Sequence, residues 1–428
     1  MKLFFKVIIL FLIVFNFRLP LVYNSVVLAD ILVLFYYIFM RKSVPFTYFY
    51  LRYNVIILIG TIVLTIIYMA ITIMHGQYYF LVQKRLILQF FMLSSFIFSL
   101  PLFIEDEEGE AYEKIIVIIC YAFALQGLIH LCGYLYQPFG DLIYSIKPAG
   151  FKEYIEDPEL GIDKFRGYAL TGSIFFELPA AYGAAVIMFF RLQLNEGQKY
   201  LSGYKSYIVL FLLIAGISLS GRTGFIGVFL GIFLYSFYSL GKFYQWIKST
   251  WRIIVATIFV LVFFYFLISP GQRQKLSDEV FPFAFEAYYN WRDYGTFSTG
   301  SSDQLKAHYY TIKDEDLFIG TGAPTGGISS YRGSDAGYMN ALVFGGIVYL
   351  FCLSVYQFLY CAAPLSLTRR RSTPEDKHDF MLFLLLFVHM FILQYKAEAL
   401  GTQHITEVLL LAAGASYMIK YYYHLENG

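Results

Sequence analysis

An apolar stretch at residues 207–238, YIVLFLLIAGISLSGRTGFIGVFLGIFLYSFY, decides the fold class. Arg222 is the one charged residue in this stretch, and Gly221 comes directly before it. A helix crosses the hydrocarbon core of a bilayer with about 20 residues, so the stretch is too long for a single span. We therefore predict two spans, at 204–220 and 223–241, which meet at the Gly221-Arg222 dipeptide.

The composition of the whole chain is also strongly apolar. Of its 428 residues, 58% are hydrophobic, 20% aromatic and 14% charged, whereas a soluble domain carries about 25% charged residues. The formal net charge of +2 is too small to indicate a nucleic-acid partner. The four cysteines form no Cys-x-x-Cys pair, so neither a zinc site nor a disulfide framework is indicated. This composition indicates an integral membrane protein surrounded by lipids.

The apolar runs predict an all-α, polytopic membrane helix bundle of about twelve transmembrane helices. The candidate spans are 3–17, 21–40, 53–74, 84–104, 112–136, 167–190, 204–220, 223–241, 250–269, 334–361, 379–396 and 403–423. With the N-terminus inside, Lys and Arg concentrate in the inner connections, as cytoplasmic connections require. We therefore expect a single transmembrane domain over residues 1–428, with both termini in the cytoplasm.

Two long hydrophilic segments, residues 137–166 and 271–333, fall on the outer face in this topology. The second is longer than most connections between helices, and long loops usually carry function. Its aromatic residues, among them Tyr288 and Trp291, are numerous enough to pack against the membrane or to form a small cap.

Arg222 and Arg166 are candidates for an anion site. A cation between apolar spans is costly unless it is paired or lines a hydrated cavity, and a guanidinium binds phosphate oxygens with two parallel hydrogen bonds. The alternative for Arg222 is a surface turn that reaches the lipid headgroups.

Arg166 opens the span 167–190, and Glu177 lies eleven residues further on. On one helix these two charges would share a face about 16 Å apart, which indicates a polar cavity; the alternative is an interfacial arginine and a glutamate satisfied by a neighbouring helix.

Asp335 and His308 are candidates for accepting a proton. Asp335 enters the span 334–361, where it could act as a base or simply cap the helix N-terminus. His308 lies in the large outer segment, where a lone histidine is usually just solvated. Further candidates for contacting a substrate surround the outer ends of spans: Arg292, Arg332, Tyr338, Lys396, Glu398 and His404. For Lys396 and Glu398 the alternative is a pair in the membrane interface.

The outer face carries cations but no nucleotide motif. The glycine-rich Gly320-Thr321-Gly322 follows no strand and precedes no Gly-Lys-Ser/Thr, so we interpret it as a tight turn feeding the span 334–361. Asp314-Glu315-Asp316 is interpreted as a solvated acidic turn rather than a metal site. The outward cations indicate an anionic, lipid-linked substrate presented from the outer leaflet.

Three patches of the sequence resemble bacterial O-antigen polymerases of the Wzy type, within the polymerase and O-antigen ligase superfamily. Ser218-Leu219-Ser220-Gly221-Arg222-Thr223-Gly224 is similar to the family's Ser-x-Ser-Arg-x-Gly signature between two spans. Asp316-Leu317-Phe318-Ile319-Gly320-Thr321-Gly322 is similar to the Pro-Leu-x-Gly-x-Gly that closes the large outer loop. Asp335-Ala336, Gly346 and Tyr349 stand at the spacing of a ligase motif but lack its histidine, which favours a polymerase over a ligase.

The resemblance implies a GT-C-like glycosyltransferase in the bacterial inner membrane that uses no nucleotide sugar and no metal or other cofactor. The donor would be a glycan on undecaprenyl pyrophosphate, and the acceptor one repeat unit on the same lipid. Arg222 and Arg166 would stabilise the charge of the departing pyrophosphate. Asp335 would accept the hydroxyl proton, with His308 and Glu177 as further candidates for the base. The family also implies a flippase and a chain-length regulator as partners in the periplasmic assembly of the polysaccharide.

Two other functions stay open. A ligase would transfer finished glycan to a lipid A core by the same chemistry, and the missing histidine counts against it. A flippase for lipid-linked oligosaccharide, or another transporter, would commonly show internal repeats and a substrate site at the bilayer midplane. No such repeat is visible in the sequence.

Overall fold

The computed structural model describes the residues that form the helices and most of the short turns between them. These are residues 2–19, 24–40, 51–77, 81–104, 110–147, 152, 164–172, 176–194, 201–239, 251, 255, 270–275, 277–278, 281–296, 299–323, 331, 333–370 and 373–427. In these residues the regular secondary structure is entirely helical, as the sequence predicts. The predicted span 250–269 lies outside the described residues except for positions 251 and 255.

In the part of the chain that the structure describes, five helices are long and apolar enough to cross a membrane. They are α3 (Arg52–Met74), α4 (Leu81–Ile104), α5 (Ala111–Leu135), α15 (Gly337–Arg370) and α16 (Pro374–Lys396). Four apolar helices are shorter: α1 (Lys2–Phe15), α2 (Ser25–Met40), α8 (Tyr204–Ser220) and α9 (Phe225–Ser239). The helical membrane character is therefore supported, while the count of twelve spans and the orientation remain predictions.

Two further helices form the centre of the bundle: α7 (Glu177–Gln193) and α17 (His404–Asn427). Every residue of α7 from Leu178 to Leu192 is buried, and α17 is buried from His404 through Ile419. A helix that is apolar on all sides is a core helix. By contrast, α3 exposes a row of large apolar side chains, which a bilayer would cover: Ile56, Ile59, Ile62, Val63, Ile66, Ile73 and Met74.

Close backbone contact between α7 and α9 depends on glycine. A Cβ on Gly227 would lie 2.2 Å from the Cα of Gly183, so neither helix could approach the other with a larger residue at this crossing. Small residues at helix crossings are common in membrane bundles for this reason. The contact fixes α9, and with it the Arg222 corner, against the central helix.

The predicted span 167–190 is wrong in its first half. The helix begins at Glu177, and Arg166 belongs to a separate 3₁₀ helix, Lys164–Tyr168. A proline is tolerated in the first turn of a helix but not in its interior, so Pro179 favours a start at Glu177. The segment before it instead docks on α1, where the Gly172 N–H donates to the carbonyl of Phe15 at 2.9 Å. Arg166 and Glu177 therefore share no helix face.

The split at Gly221 is confirmed. Helix α8 ends at Ser220, a 3₁₀ turn covers Arg222–Gly224, and α9 begins at Phe225. The helix ends here because Gly221 takes an extended backbone conformation, and Arg222 follows directly at the corner.

The two long hydrophilic segments, 137–166 and 271–333, contain short helices. The first contains α6 (Gln137–Ser145) and the 3₁₀ helix Lys164–Tyr168. The second contains α10 (Pro270–Lys275), α11 (Phe281–Ala284), α12 (Glu286–Tyr294), α13 (Gly300–His308) and α14 (Asp314–Leu317).

Helix α15 is broken near its start, at Gly345 and Gly346. Gly346 has φ 64°, a left-handed conformation that favours glycine. The glycine-rich turn docks into this break: Thr321 N–H donates to Val343 O and Gly322 N–H to Phe344 O, both at 2.8 Å. The predicted tight turn therefore does contact the start of this span. The break at Gly345 and Gly346 separates a short entry helix, 337–344, from the rest of α15.

Candidate functional site

Arg222 is paired with a carboxylate from the large outer segment. Its Nη1 contacts Oε2 of Glu286, the first residue of α12. The two side chains are only 19% and 29% exposed, so the pair is largely withdrawn from water. In the structure Arg222 is therefore a paired cation, and its role as an anion site stays a prediction.

Arg166 lies beside the same corner. Its Nε donates to the carbonyl of Ser220 at 3.2 Å, so the 3₁₀ helix packs at the end of α8. The segment that follows Arg166 is held by Lys147, whose buried ammonium donates to the carbonyls of Ala169, at 2.6 Å, and Thr171. These contacts bring Arg166 and Arg222 to one end of the bundle, although they lie in separate local structures.

Lys396 completes a cationic group at this end. It ends α16, and both Arg222 and Arg166 interact with it electrostatically, as does Glu286. We call Arg166, Arg222 and Lys396 the cationic cluster. Glu286 is the carboxylate that the described residues place among these three cations.

The environment of Glu286 favours its ionised form. Burial alone would raise the pKa of this carboxyl, but the N–H of Gly300, 2.7 Å from Oε1, and the cations Arg222 and Lys396 act in the opposite direction. The net effect is a pKa of Glu286 below its usual value. The position at Arg222 is therefore one that an anionic group prefers.

His308 and Asp335 form a second polar pair. The backbone N–H of Asp335 donates to Nδ1 of His308 at 3.1 Å, and Nε2 of the same ring lies 3.7 Å from Oδ2 of Asp335. Because Nδ1 accepts this hydrogen bond, the neutral ring carries its proton on Nε2, facing the carboxylate. The Asp335 side chain is 88% exposed. In this turn Ser334, whose Oγ accepts from Ala336 N–H at 3.1 Å, supplies the backbone cap.

Two tyrosines connect this pair to the cationic cluster. Tyr309, next to His308, stacks on Tyr395 with ring centroids 4.9 Å apart and donates to its carbonyl at 2.7 Å. Tyr395 directly precedes Lys396. The contact places His308 and Asp335 at the same end of the bundle as Lys396 of the cationic cluster.

A small cleft of about 40 Å³ opens between the entry helix of α15, α3 and the turn that follows α16. Aromatic rings and polar side chains line it: Tyr68, Asn340, Phe344, Tyr349, Gln394 and Glu398. Glu398 pairs with Arg85 of α4 at 3.3 Å rather than with Lys396 as considered from the sequence. Leu400 and Thr402 also line the cleft.

Three other predicted site residues make structural contacts outside the cationic cluster. Glu177 accepts the N–H of Ile405 at 2.9 Å, so it caps α17, and the buried His404 lies beside it. Both therefore serve the start of α17. Tyr338 donates to the carbonyl of Phe391 at 3.0 Å and fixes the entry helix to α16.

Two predicted cations are not part of the cluster that the structure describes. Arg292 forms two hydrogen bonds with its neighbour Asp293, at 2.7 and 2.9 Å, and lies over the ring of Tyr289 on an exposed helix face. Arg332 lies outside the described residues. In the acidic turn, Asp316 accepts the hydroxyl of Tyr331 at 2.7 Å.

The sequence did not point to Glu286 or Lys147. Glu286 is one carboxylate among many in a polar segment, and its partner Arg222 is 64 residues away, so no local pattern identifies it. Lys147 follows an amphipathic helix and could be recognised only by its burial. No family model, curated protein or solved structure matches the chain, so the geometry of this site carries the functional conclusion.

Proposed function

We propose that the protein is a membrane glycosyltransferase that lengthens a lipid-linked oligosaccharide by releasing a lipid pyrophosphate. The observation that carries this proposal is the cationic cluster, in which Arg222 holds the carboxylate of Glu286. A carboxylate is a weaker and less charged anion than a pyrophosphate. A ligand pyrophosphate would therefore displace Glu286 and pair with Arg222, Arg166 and Lys396.

Fixed cations at this position would lower the barrier to sugar transfer. When the bond between the anomeric carbon and the phosphate oxygen breaks, negative charge grows on the pyrophosphate. Guanidinium groups remain charged at any physiological pH and can bind two phosphate oxygens at once. Because this leaving group is stable as an anion, the step needs no general acid.

Asp335 is the proposed base. The attacking hydroxyl forms a bond to the anomeric carbon and gives its proton to the Asp335 carboxylate, which is exposed and free to approach a substrate. His308 directs its Nε2 toward that carboxylate while Nδ1 is held by the backbone. His308 is therefore a positioning residue rather than the proton acceptor. Glu177 is excluded from this role in the proposal because it caps α17.

Within this proposal the protein is an O-antigen polymerase of the Wzy type, with a GT-C-like bundle of about twelve spans in the bacterial inner membrane. The active face would be periplasmic. Its substrates would be undecaprenyl-pyrophosphate-linked repeat units, delivered by a flippase, and a chain-length regulator would set the product size.

A transporter is the second candidate, and one observation favours it. Helix α15 is interrupted at Gly345 and Gly346, close to the cleft, and broken helices at substrate sites are typical of transporters. A transporter would move the lipid-linked glycan without forming a glycosidic bond, and that difference separates the two candidates.

The test is reconstitution of the purified protein in liposomes with a synthetic undecaprenyl-pyrophosphate repeat unit. The proposal predicts a ladder of glycan lengths that is lost in Arg222→Ala. Arg292→Ala is the matched control, because it removes the same charge from an exposed helix face outside the cluster, and it should keep the ladder. Lipid movement across the bilayer without a ladder would overturn the proposal in favour of a transporter.

A further inference from the structure

Residues 164–172, which we call the strap, carry Arg166 between the ends of two helices. At one end, Nε of Arg166 donates to the carbonyl of Ser220, the last residue of α8, at 3.2 Å. At the other end, the N–H of Gly172 donates to the carbonyl of Phe15, the last residue of α1, at 2.9 Å. The strap is therefore attached to the bundle on both sides of Arg166.

Lys147 holds the strap between these two ends. Its Nζ donates to the carbonyl of Ala169 at 2.6 Å and also to the carbonyl of Thr171. The N–H of Thr171 donates to the same Ala169 carbonyl at 3.0 Å, which closes a tight turn. Lys147 is only 7% exposed, and a buried amino group is costly unless its donors find acceptors. Both carbonyls therefore have to face Lys147, which fixes the path of the backbone at 169–171.

Tyr168 seats the start of the strap independently of Lys147. The tyrosine is 7% exposed and packs against a glycine of α5 and a glycine of α6. A Cβ on Gly133 would lie 3.0 Å from the Cβ of Tyr168, and a Cβ on Gly140 would lie 3.0 Å from its ring. Because this contact remains when Lys147 is changed, we expect a Lys147 variant to fold with a strap that is displaced rather than lost.

The fixed turn lies one helical turn from Arg166. The 3₁₀ helix ends at Tyr168, Ala169 follows it directly, and a 3₁₀ helix has three residues per turn. A shift of the Ala169 carbonyl is therefore passed to the backbone of Arg166. A guanidinium stabilises an anion only where its N–H groups point at the ligand, so a small displacement reduces its contribution.

Direct binding of an anion by Lys147 does not fit the space around it. Lys147 and Arg18 line a cavity of about 20 Å³ between the strap and the residues that follow α1. One water molecule requires about 10–15 Å³, so this cavity has room for one water and not for a phosphate group.

We propose that Lys147 is a positioning residue of the anion site: by holding the strap from inside the protein, it keeps the guanidinium of Arg166 beside the Arg222 corner. The inference rests on the proposed function in one respect, which is that the anion bound there is the pyrophosphate of a lipid substrate. Lys147 itself acts through the strap and does not contact that ligand.

A double-mutant cycle on the full-length protein in detergent tests this inference, with inorganic pyrophosphate as the ligand in calorimetric titrations. Arg166→Ala should weaken binding by about tenfold, as expected for one hydrogen bond to a charged group. Lys147→Met should weaken it by about threefold, because it displaces the guanidinium without removing it. In the Arg166→Ala background, Lys147→Met should cause no further loss.

Two further variants complete the cycle. Lys152→Met removes the same charge from the same hydrophilic segment, at a lysine that donates to the Ser145 carbonyl outside the strap, and should bind pyrophosphate as the wild type does. Thr171→Val keeps the shape of the side chain but removes its hydrogen bond to the Phe15 carbonyl at 3.2 Å. It should also weaken binding, again with no effect in the Arg166→Ala background, and it tests the strap if Lys147→Met does not fold.

Three results would overturn the inference. A loss from Lys147→Met that is as large in the Arg166→Ala background as in the wild type would show that the lysine does not act through Arg166. Wild-type affinity in folded Lys147→Met, or in Thr171→Val, would refute positioning by the strap and leave the proposed function standing. Wild-type affinity in Arg166→Ala would refute both this inference and the role of Arg166 in the proposed function.

Discussion

Arg222, at the corner between α8 and α9, forms an ion pair with Glu286, which begins a helix of the large outer segment 64 residues further along the chain. This pair fixes the outer segment to the cationic cluster. It also fills the position at Arg222 with a carboxylate, so a ligand anion has to compete with the protein's own side chain.

We expect Glu286→Gln to increase the affinity for inorganic pyrophosphate. The variant removes the competing charge and keeps the shape of the side chain. A partly exposed ion pair is worth about 1 kcal/mol, which corresponds to an increase in affinity of about fivefold. Calorimetric titration of the protein in detergent measures the affinity for pyrophosphate. Asp293→Asn, on the same helix but paired with Arg292, is the control and should leave the affinity unchanged; weaker binding by Glu286→Gln would contradict the competition.

Attachment of the outer segment should persist in mild acid. Because the pKa of Glu286 is held below its usual value of 4.5, the pair contributes stability above that value and loses it as the pH falls through the lowered pKa. Amide hydrogen exchange of residues 281–296 should therefore be slow at pH 5, after correction for the intrinsic rate, and rise at lower pH. Glu286→Gln should show fast exchange at both pH values; a wild-type protein already fast at pH 5 would argue against the pair.

Asp335→Asn and His308→Ala should affect polymerisation to different degrees. Loss of the base should reduce the rate of bond formation by about 10² to 10⁴-fold, with little change in substrate binding. His308→Ala removes only the positioning contact and should have a smaller effect, with a changed pH profile. The rate at which the glycan ladder grows in liposomes measures the effect of each variant. Asp303→Asn, an exposed carboxylate in the same segment, serves as the control. Equal losses in all three variants would refute the assignment.

A buried ion pair between Arg191 and Asp379 should dominate the stability of the opposite part of the bundle. Both side chains are at most 1% exposed, and Tyr112 donates a further hydrogen bond to Asp379 at 3.0 Å. Arg191→Met leaves the carboxylate unpaired and should destabilise the protein by about 3–5 kcal/mol.

The double variant Arg191→Met/Asp379→Leu removes both charges and should recover most of that loss. Unfolding by denaturant in detergent measures the differences, with Lys306→Ala, at an exposed pair, as the neutral control. A double variant as unstable as the single one would show that packing, and not charge, sets the effect.

The sequence predicted those features that are local. The Arg222 corner followed from an apolar run too long for one helix, and the tight turn at Gly320-Thr321-Gly322 from its glycines. The start of α7 was missed because apolar character continues across residues 167–176, whereas the position of Pro179 and a contact with Phe15 decide where the helix begins.

Contacts between distant segments could not be predicted. The convergence of Arg166, Arg222 and Lys396 was suggested by their common face, while Glu286 became recognisable only through its contact with Arg222.

The most direct test of the proposed function compares two products in the same liposomes. After addition of the lipid-linked repeat unit, both the glycosidic bonds formed and the undecaprenyl pyrophosphate released are counted. Our account predicts one lipid pyrophosphate for each new bond, and neither product with Arg222→Ala. Bonds formed without release of lipid pyrophosphate, or lipid movement with neither product, would contradict it.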